Sequence, residues 1–160
     1  MRKTDFSRAI KAEALRLGFA AAGIALVSAL KRREPEFILW RSSGFSGAMR
    51  YMDALLDRQS RLLEGMPHLK SVIVVATPYS SSRQAPTAVS SGRIARYAWG
   101  RDYHKVIQQR LRRLEAFIRQ RSNSPVQLLR SVDKGPFPER VLAEAAGLGF
   151  FGKNSCLIRP

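Results

Sequence analysis

Apolar residues fall into two kinds of run along the chain. Phe6, Ile10, Leu15 and Leu17 recur among charged residues, with Thr4 or Asp5 available as a cap and Gly18 as a stop. That pattern predicts a first helix. Phe19 to Val27, FAAAGIALV, is instead continuous, as expected of a buried strand. Pro35 opens a second helix carrying Phe37, Ile38 and Trp40 and closed by Gly44, and Met49 to Leu56 reads as a further helical segment. Ser71 to Tyr79, SVIVVATPY, is β-branched and bounded by Pro78, which makes it the clearest strand, expected to lie centrally. Tyr103 to Arg121 is the longest helix, with Val106, Ile107, Leu111, Leu114 and Ile118 on one face. A strand-like run, Val126, Leu128, Leu129 and Val132, then leads to Asp133 and a Gly-Pro turn. Pro138 suits a first helical position, and Glu139 to Ala146 forms a short Ala-rich helix stopped at Gly147 and Gly149.

Ser80 to Gly92, rich in Ser, Gln, Pro and Thr, reads as a mobile surface loop. No repeat interrupts the 160 residues, so one α+β or α/β domain is expected, with a central sheet covered by helices.

Charge narrows the partners. There are 28 Lys and Arg against 12 Asp and Glu, a formal net charge of +16. Nucleic acid is the leading polyanion, because phosphate neutralisation supplies most non-specific affinity. A basic membrane surface competes, but no stretch approaches a transmembrane span, and the N-terminus MRKTDFSRAIKAEALRLG lacks a signal-peptide apolar block. A cytoplasmic protein without membrane attachment is expected. Cys156 is the sole cysteine, which excludes an intrachain disulfide and any iron–sulfur site built from this chain alone.

Three stretches carry candidate chemistry. Asp133 stands where a strand end would present a carboxylate to a cavity. Gly147, Gly149 and Gly152 leave little bulk ahead of the donors Lys153 and Asn154, so backbone could approach a flat ligand, although strand, turn and helix alone account for the same pattern. Between Ile94 and His104 aromatics and arginines alternate, as Arg96, Tyr97, Trp99, Arg101, Tyr103 and His104. This suits stacking on bases or on a planar cofactor; equally, it suits an edge strand feeding a helix. His104 reads as a capping or packing residue, since no second metal ligand sits at a suitable spacing. Arg50, Arg58 and Arg61 form either a solvated face or a phosphate-facing one.

Three motifs together, FILWRSSGFSGAMRYM, IARYAWGRDYHKVI and SVDKGPFPERVLAEAAGLGFFGKNSCLI, resemble the N-terminal, cobalamin-binding half of the epoxyqueuosine reductases. The resemblance runs over essentially the whole chain, residues 1–160, as a single domain. It implies an α+β fold with a central, mainly antiparallel sheet flanked by helices, of the nitroreductase-like, cobalamin-processing type. It implies cobalamin as cofactor, and reduction of epoxyqueuosine to queuosine at the wobble position of a tRNA anticodon. Asp133 matches the family's proton donor, and Arg140 its arginine beside the site. Ala95, Arg96, Tyr97, Leu157 and Arg159 match positions that line the corrin, and Arg58 or Arg61 a cofactor-contacting arginine. Arg101, Arg110, Arg112 and Arg113 would meet the anticodon arm of the tRNA. No Asp-x-His-x-x-Gly cobalt-ligating signature occurs. The family's two 4Fe–4S clusters would come from a ferredoxin-like domain or electron-donating partner outside this chain, which is expected to be a monomer. The alternative is a non-catalytic module that binds tRNA or a corrinoid.

Overall fold

Helix α1 (Lys3–Arg16) and helix α4 (Tyr103–Arg121) pack on one another, and the residues that join them repeat four apart: Ile10 with Ala14, Leu114 with Ile118. Positions i and i+4 stand one above the other on a helix, so each pair forms a single stripe. Leu15 was expected in that stripe but is 52% exposed. Five residues beyond Ile10, it is turned well away from the face that Ile10 and Ala14 share. Phe19, just beyond the turn that ends α1, completes this cluster. Burial of side chains such as Leu114 and Ile118 stabilises by about 2 kcal/mol each. Helix α4 has the predicted bounds because its start is chemically fixed, the Asp102 carboxylate accepting the His104 backbone N–H at 2.9 Å.

The computed structural model describes residues 3–52, 54–79, 92, 94–133 and 135–159. The loop expected over Ser80 to Gly92 falls, Gly92 apart, outside the described residues. Two compact units divide the chain: Met1–Ala21 with Ala76–Val132, which contains α1 and α4, and Ala22–Val75 with Asp133–Pro160.

Strand β1 (Ala21–Leu26) pairs with β2 (Ser71–Ala76), and all but the end residues Ala21 and Ala76 belong to the second unit. The Ala20 N–H donates to the Ala76 carbonyl at one end and the Val27 N–H to the Lys70 carbonyl at the other, so the strands run antiparallel. Burial alternates along β1, with Ala21 and Ala25 inside and Leu26 69% exposed. The continuous apolar run thus buries one face of the strand. A single 3-10 turn, Val27–Lys31, follows and buries Leu30 against helix α5 (Glu139–Ala145), which contributes Val141, Leu142 and Ala143. Gly23 fits here for a steric reason: a Cβ on it would stand 2.4 Å from the Ala146 carbonyl oxygen.

Helix α2 (Glu34–Ser42) begins one residue before the foreseen proline, which lies in its first turn, but buries no residue, and Leu39 is 67% exposed. Helix α3 (Leu55–Gly65) starts later than the apolar pattern indicates, after a 3-10 turn at Arg50–Met52. Asp57 lies in its first turn, where a carboxylate favours the helix dipole. Strands β3 (Phe150–Phe151) and β4 (Leu157–Ile158) form a second antiparallel pair, Phe150 opposite Ile158 and Phe151 opposite Leu157.

The mixed helix-and-strand class is as expected, but the sheet differs. Among the described residues the strands form two separate two-stranded sheets in place of one central sheet, so β2 has a single neighbour. The run before Asp133 is not a strand among the described residues either. An apolar pattern supplies one face, whereas a ladder also needs a partner backbone. Here the Val126 carbonyl is taken by the Arg119 guanidinium at 2.8 Å. No described helix is long and apolar enough to cross a membrane.

Candidate functional site

Asp133 occupies a left-handed backbone conformation, φ 57°. A non-glycine residue there costs about 1 kcal/mol, and aspartate is among the more tolerant. A neighbour holds it in place: its backbone N–H donates to the Glu139 Oε1 at 3.0 Å. Glu139 is the first residue of α5, and the intervening Gly135, Pro136 and Pro138 turn the chain back so that its carboxylate reaches the amide. Asp133 itself is exposed. The resemblance calls for a desolvated acid at this position, and the described fold leaves the residue open. The carboxyl with the raised pKa is that of Glu139, pushed above its ordinary value by burial. The Asp133 N–H pulls it the other way, while the Asp133 carboxylate raises it by charge and by a side-chain hydrogen bond. These two carboxyls interact directly, and both residues are exposed. Sequence reasoning missed Glu139, although a carboxylate at the start of a helix six residues beyond an aspartate was the available signal.

Arg140, next along α5, donates from its guanidinium to the Ser155 carbonyl. The same guanidinium lies 5.9 Å from the centroid of the Phe151 ring, and that of Arg33 lies 5.3 Å from it. Arg33 also approaches Glu144 at 3.6 Å. Arg140 therefore ties α5 to the β3–β4 hairpin, in which Leu157 faces Phe151. The Gly-Lys-Asn turn of that hairpin closes on itself: the Asn154 Oδ1 accepts the Cys156 N–H at 3.1 Å, and the Gly152 N–H donates to the Cys156 carbonyl. The Asn154 side-chain oxygen is taken inside the turn, and the donors expected of this residue belong to its amide nitrogen. Gly149 likewise serves the fold, since a Cβ there would stand 2.2 Å from the Ile158 carbonyl oxygen. Arg58, on α3, and Arg159, after β4, are exposed.

In the first unit, the aromatic and arginine-rich stretch is neither a strand nor open loop. A 3-10 turn spans Arg96–Ala98, and the Trp99 Nε1 donates back to the Ile94 carbonyl at 2.9 Å. Tyr97 meets Tyr103 edge-on at 6.3 Å, and Tyr103 stacks on His104 at 4.1 Å. His104 also approaches the Asp102 carboxylate at 3.0 Å through Nδ1, a bond that holds the Asp102 pKa below its ordinary value. Of the capping and packing roles foreseen for His104, packing matches its surroundings, and Asp102 is the cap. Ala95, Arg96 and Tyr97 are exposed, Tyr97 by 58% and the adjacent Ile94 by 70%. Thr77 Oγ1 and Ser131 Oγ are buried without a hydrogen-bond partner among the described residues, an arrangement that costs free energy unless something else supplies one.

The four arginines expected to meet RNA lie in this unit and differ in their surroundings. Arg101 and Arg112 are exposed. Arg113 lines a shallow groove of about 620 Å³ between α1 and α4, with Glu13, Arg16 and Phe117. Arg110 points inward, donating to the Gly18 carbonyl at 2.8 Å with its guanidinium over the Phe19 ring. The expected site residues are accordingly divided: Ala95, Arg96, Tyr97, Arg101, Arg110, Arg112 and Arg113 in one unit, Arg58, Asp133, Arg140, Leu157 and Arg159 in the other.

Comparison with known proteins gives one consistent relationship. Residues 60–134 match the family model described as epoxyqueuosine reductase QueG, DUF1730. The chain is 41% identical over 150 residues to an epoxyqueuosine reductase of Gloeobacter violaceus, covering 93% of this chain and 46% of that protein. It is 40% identical over 159 residues to one from a Synechococcus strain, covering 98% of this chain and 48% of that protein. A crystal structure of an epoxyqueuosine reductase with an epoxyqueuosine-modified tRNA-Tyr stem loop superposes with a TM-score of 0.79 at 25% identity, over 98% of this chain and 42% of that one. The chain spans about half the length of the curated relatives it matches.

Proposed function

We propose that this chain, homologous over nearly its whole length to about half of an epoxyqueuosine reductase, forms the N-terminal, cobalamin-binding catalytic portion of an oxidoreductase of that family. Its reaction is the reduction of epoxyqueuosine to queuosine in the tRNA anticodon, in the cytoplasm. Residues 1–160 act as one functional domain, built on the nitroreductase-like, cobalamin-processing plan. The chemistry consumes two electrons and two protons: both C–O bonds of the epoxide break, a C=C bond forms, and the oxygen leaves as water. The electrons come from 4Fe–4S clusters in a ferredoxin-like segment or partner, because one cysteine cannot ligate a cluster.

The observation that carries this reading is Asp133. An acidic side chain stands on an exposed turn whose backbone is fixed by a hydrogen bond from its own amide to Glu139. Asp133 delivers a proton to the departing epoxide oxygen. Delivery near neutral pH requires the carboxyl to be desolvated when substrate and cofactor cover it. Arg140 keeps α5 and the hairpin together and so sets where Asp133 and Leu157 stand.

The chain also has features that suit a large ligand with an apolar ring and amide-bearing edge. Ile94 and Tyr97 expose apolar surface, and Thr77 and Ser131 bury hydroxyls that lack partners among the described residues. Cobalamin would be held by Ala95, Arg96, Tyr97, Leu157 and Arg159, with Arg58 as a further contact. When bound, it would supply low-potential cobalt for electron transfer to the epoxide carbon. Arg101, Arg112 and Arg113 contact the anticodon-arm phosphates, and Arg110 supports them by anchoring the turn at Gly18.

Two measurements test the proposal. The purified protein mixed with cobalamin should co-elute with it on gel filtration and carry its visible spectrum; absence of co-elution would overturn the cofactor assignment. In the complete natural protein, Asp133→Asn should keep the cofactor and lose epoxide reduction by about 10²-fold or more, and undiminished turnover would remove Asp133 as the acid.

A further inference from the structure

We infer that Glu139 is the positioning residue of the proton donor: its carboxylate latches the Asp133 backbone amide and holds the aspartate in the left-handed turn from which it meets substrate. This rests on the assignment of Asp133 as the acid. The contact closes a turn within one unit, from Asp133 to the first residue of α5, at 3.0 Å. The φ of 57° at Asp133 is a conformation that a non-glycine residue adopts when something outside it holds it there. Asp133 is exposed, and Glu139 acts on both its backbone amide and its carboxyl. Glu139 is well founded for the task. It is followed by Val141, Leu142 and Ala143, all buried, and by Arg140, which is tied to Ser155. The latch is thus mounted on the most firmly packed helix of its unit.

The reach of the side chain matters more than its charge, and two variants separate these. Glu139→Gln preserves the length and an oxygen that accepts the Asp133 N–H. Glu139→Asp preserves the charge, and an acidic residue still suits the helix start, but it is one methylene too short. Both are to be made in the complete natural protein, with cobalamin, reductant and an epoxyqueuosine-bearing tRNA stem loop. E139D should lower kcat by about tenfold to a hundredfold with KM for the stem loop unchanged, as displacement of a reacting group does, whereas E139Q should stay within about threefold of wild type. The reverse order, an active E139D and an inactive E139Q, would make Glu139 an acid in its own right and overturn the inference.

Hydrogen exchange at the Asp133 amide gives a readout independent of turnover. E139D should speed that exchange by about tenfold, the loss expected for one hydrogen bond, with the α5 amides unchanged and E139Q close to wild type. Unchanged exchange in E139D would overturn the latch. If the wild-type protein itself fails to reduce the epoxide, the reading of Asp133 as the acid fails, and exchange alone still decides whether Glu139 holds the turn.

Discussion

Single side chains do much of the work of fixing this chain, and Glu115 is the clearest case. Its carboxylate accepts two hydrogen bonds from Arg119, at 2.9 and 2.8 Å, and one from Arg130. Arg119 also holds the Val126 carbonyl, so this cluster ties the end of α4 to the segment that follows it. The Arg119 hydrogen bond is the largest influence on Glu115, followed by partial burial acting in the opposite sense and by the charge of Arg130; together they hold its pKa below the ordinary 4.5. A depressed folded-state pKa means that the stabilisation is complete above the unfolded value and is lost as pH falls through the folded one. Glu115→Gln should therefore destabilise by roughly 1 kcal/mol at pH 7, since solvent screens the arginines. The difference from wild type should vanish as pH falls below 4.5 through the folded-state value. Urea denaturation of both proteins across that range is the check, and a difference independent of pH would contradict the ion-pair origin.

At the scale of elements, what was legible in the sequence was whatever local chemistry decides. Helix α4 is read to its ends because an aspartate caps it and a four-residue repeat buries Leu114 and Ile118. Helix α2 carries Pro35 in its first turn for an equally local reason. Pairing was not legible. Whether Val126 to Val132 forms a strand depends on a partner backbone elsewhere in the chain, and the glycines near the C-terminus look alike whether they admit a ligand or a neighbouring strand. Gly149→Ala tests the second reading: with a carbonyl oxygen 2.2 Å from the new Cβ, the β3–β4 pair must shift, at a cost of about 1–3 kcal/mol. Leu114→Ala, which empties a site 3% exposed, should cost about 2–5 kcal/mol. Thermal or chemical denaturation measures both, and a neutral Gly149→Ala would show that the hairpin yields freely.

For the whole molecule, a net charge of +16 governs association more than stability. If three arginines, Arg101, Arg112 and Arg113, each neutralise one phosphate, log affinity for an RNA stem loop falls against log salt with a slope of about −2 to −3. Fluorescence anisotropy between about 50 and 200 mM salt should show a loss of about tenfold to fiftyfold, and a flat response would exclude a phosphate-led contact. Charge was fully legible in advance; its distribution was not. Arg110 sits in the same basic run as Arg112 and Arg113, yet it reaches back 92 residues to the Gly18 carbonyl, a use that no count of arginines reveals.

The lone cysteine brings a practical benefit. Cys156 is exposed and free, it sits in the hairpin that Arg140 ties to α5, and the sequence holds no other thiol. A maleimide fluorophore or nitroxide can therefore be attached at one defined place on these 160 residues, one reporter beside Leu157, without any engineered substitution. Quenching or broadening of such a tag on addition of a corrinoid would follow occupancy of the region around β4 in real time.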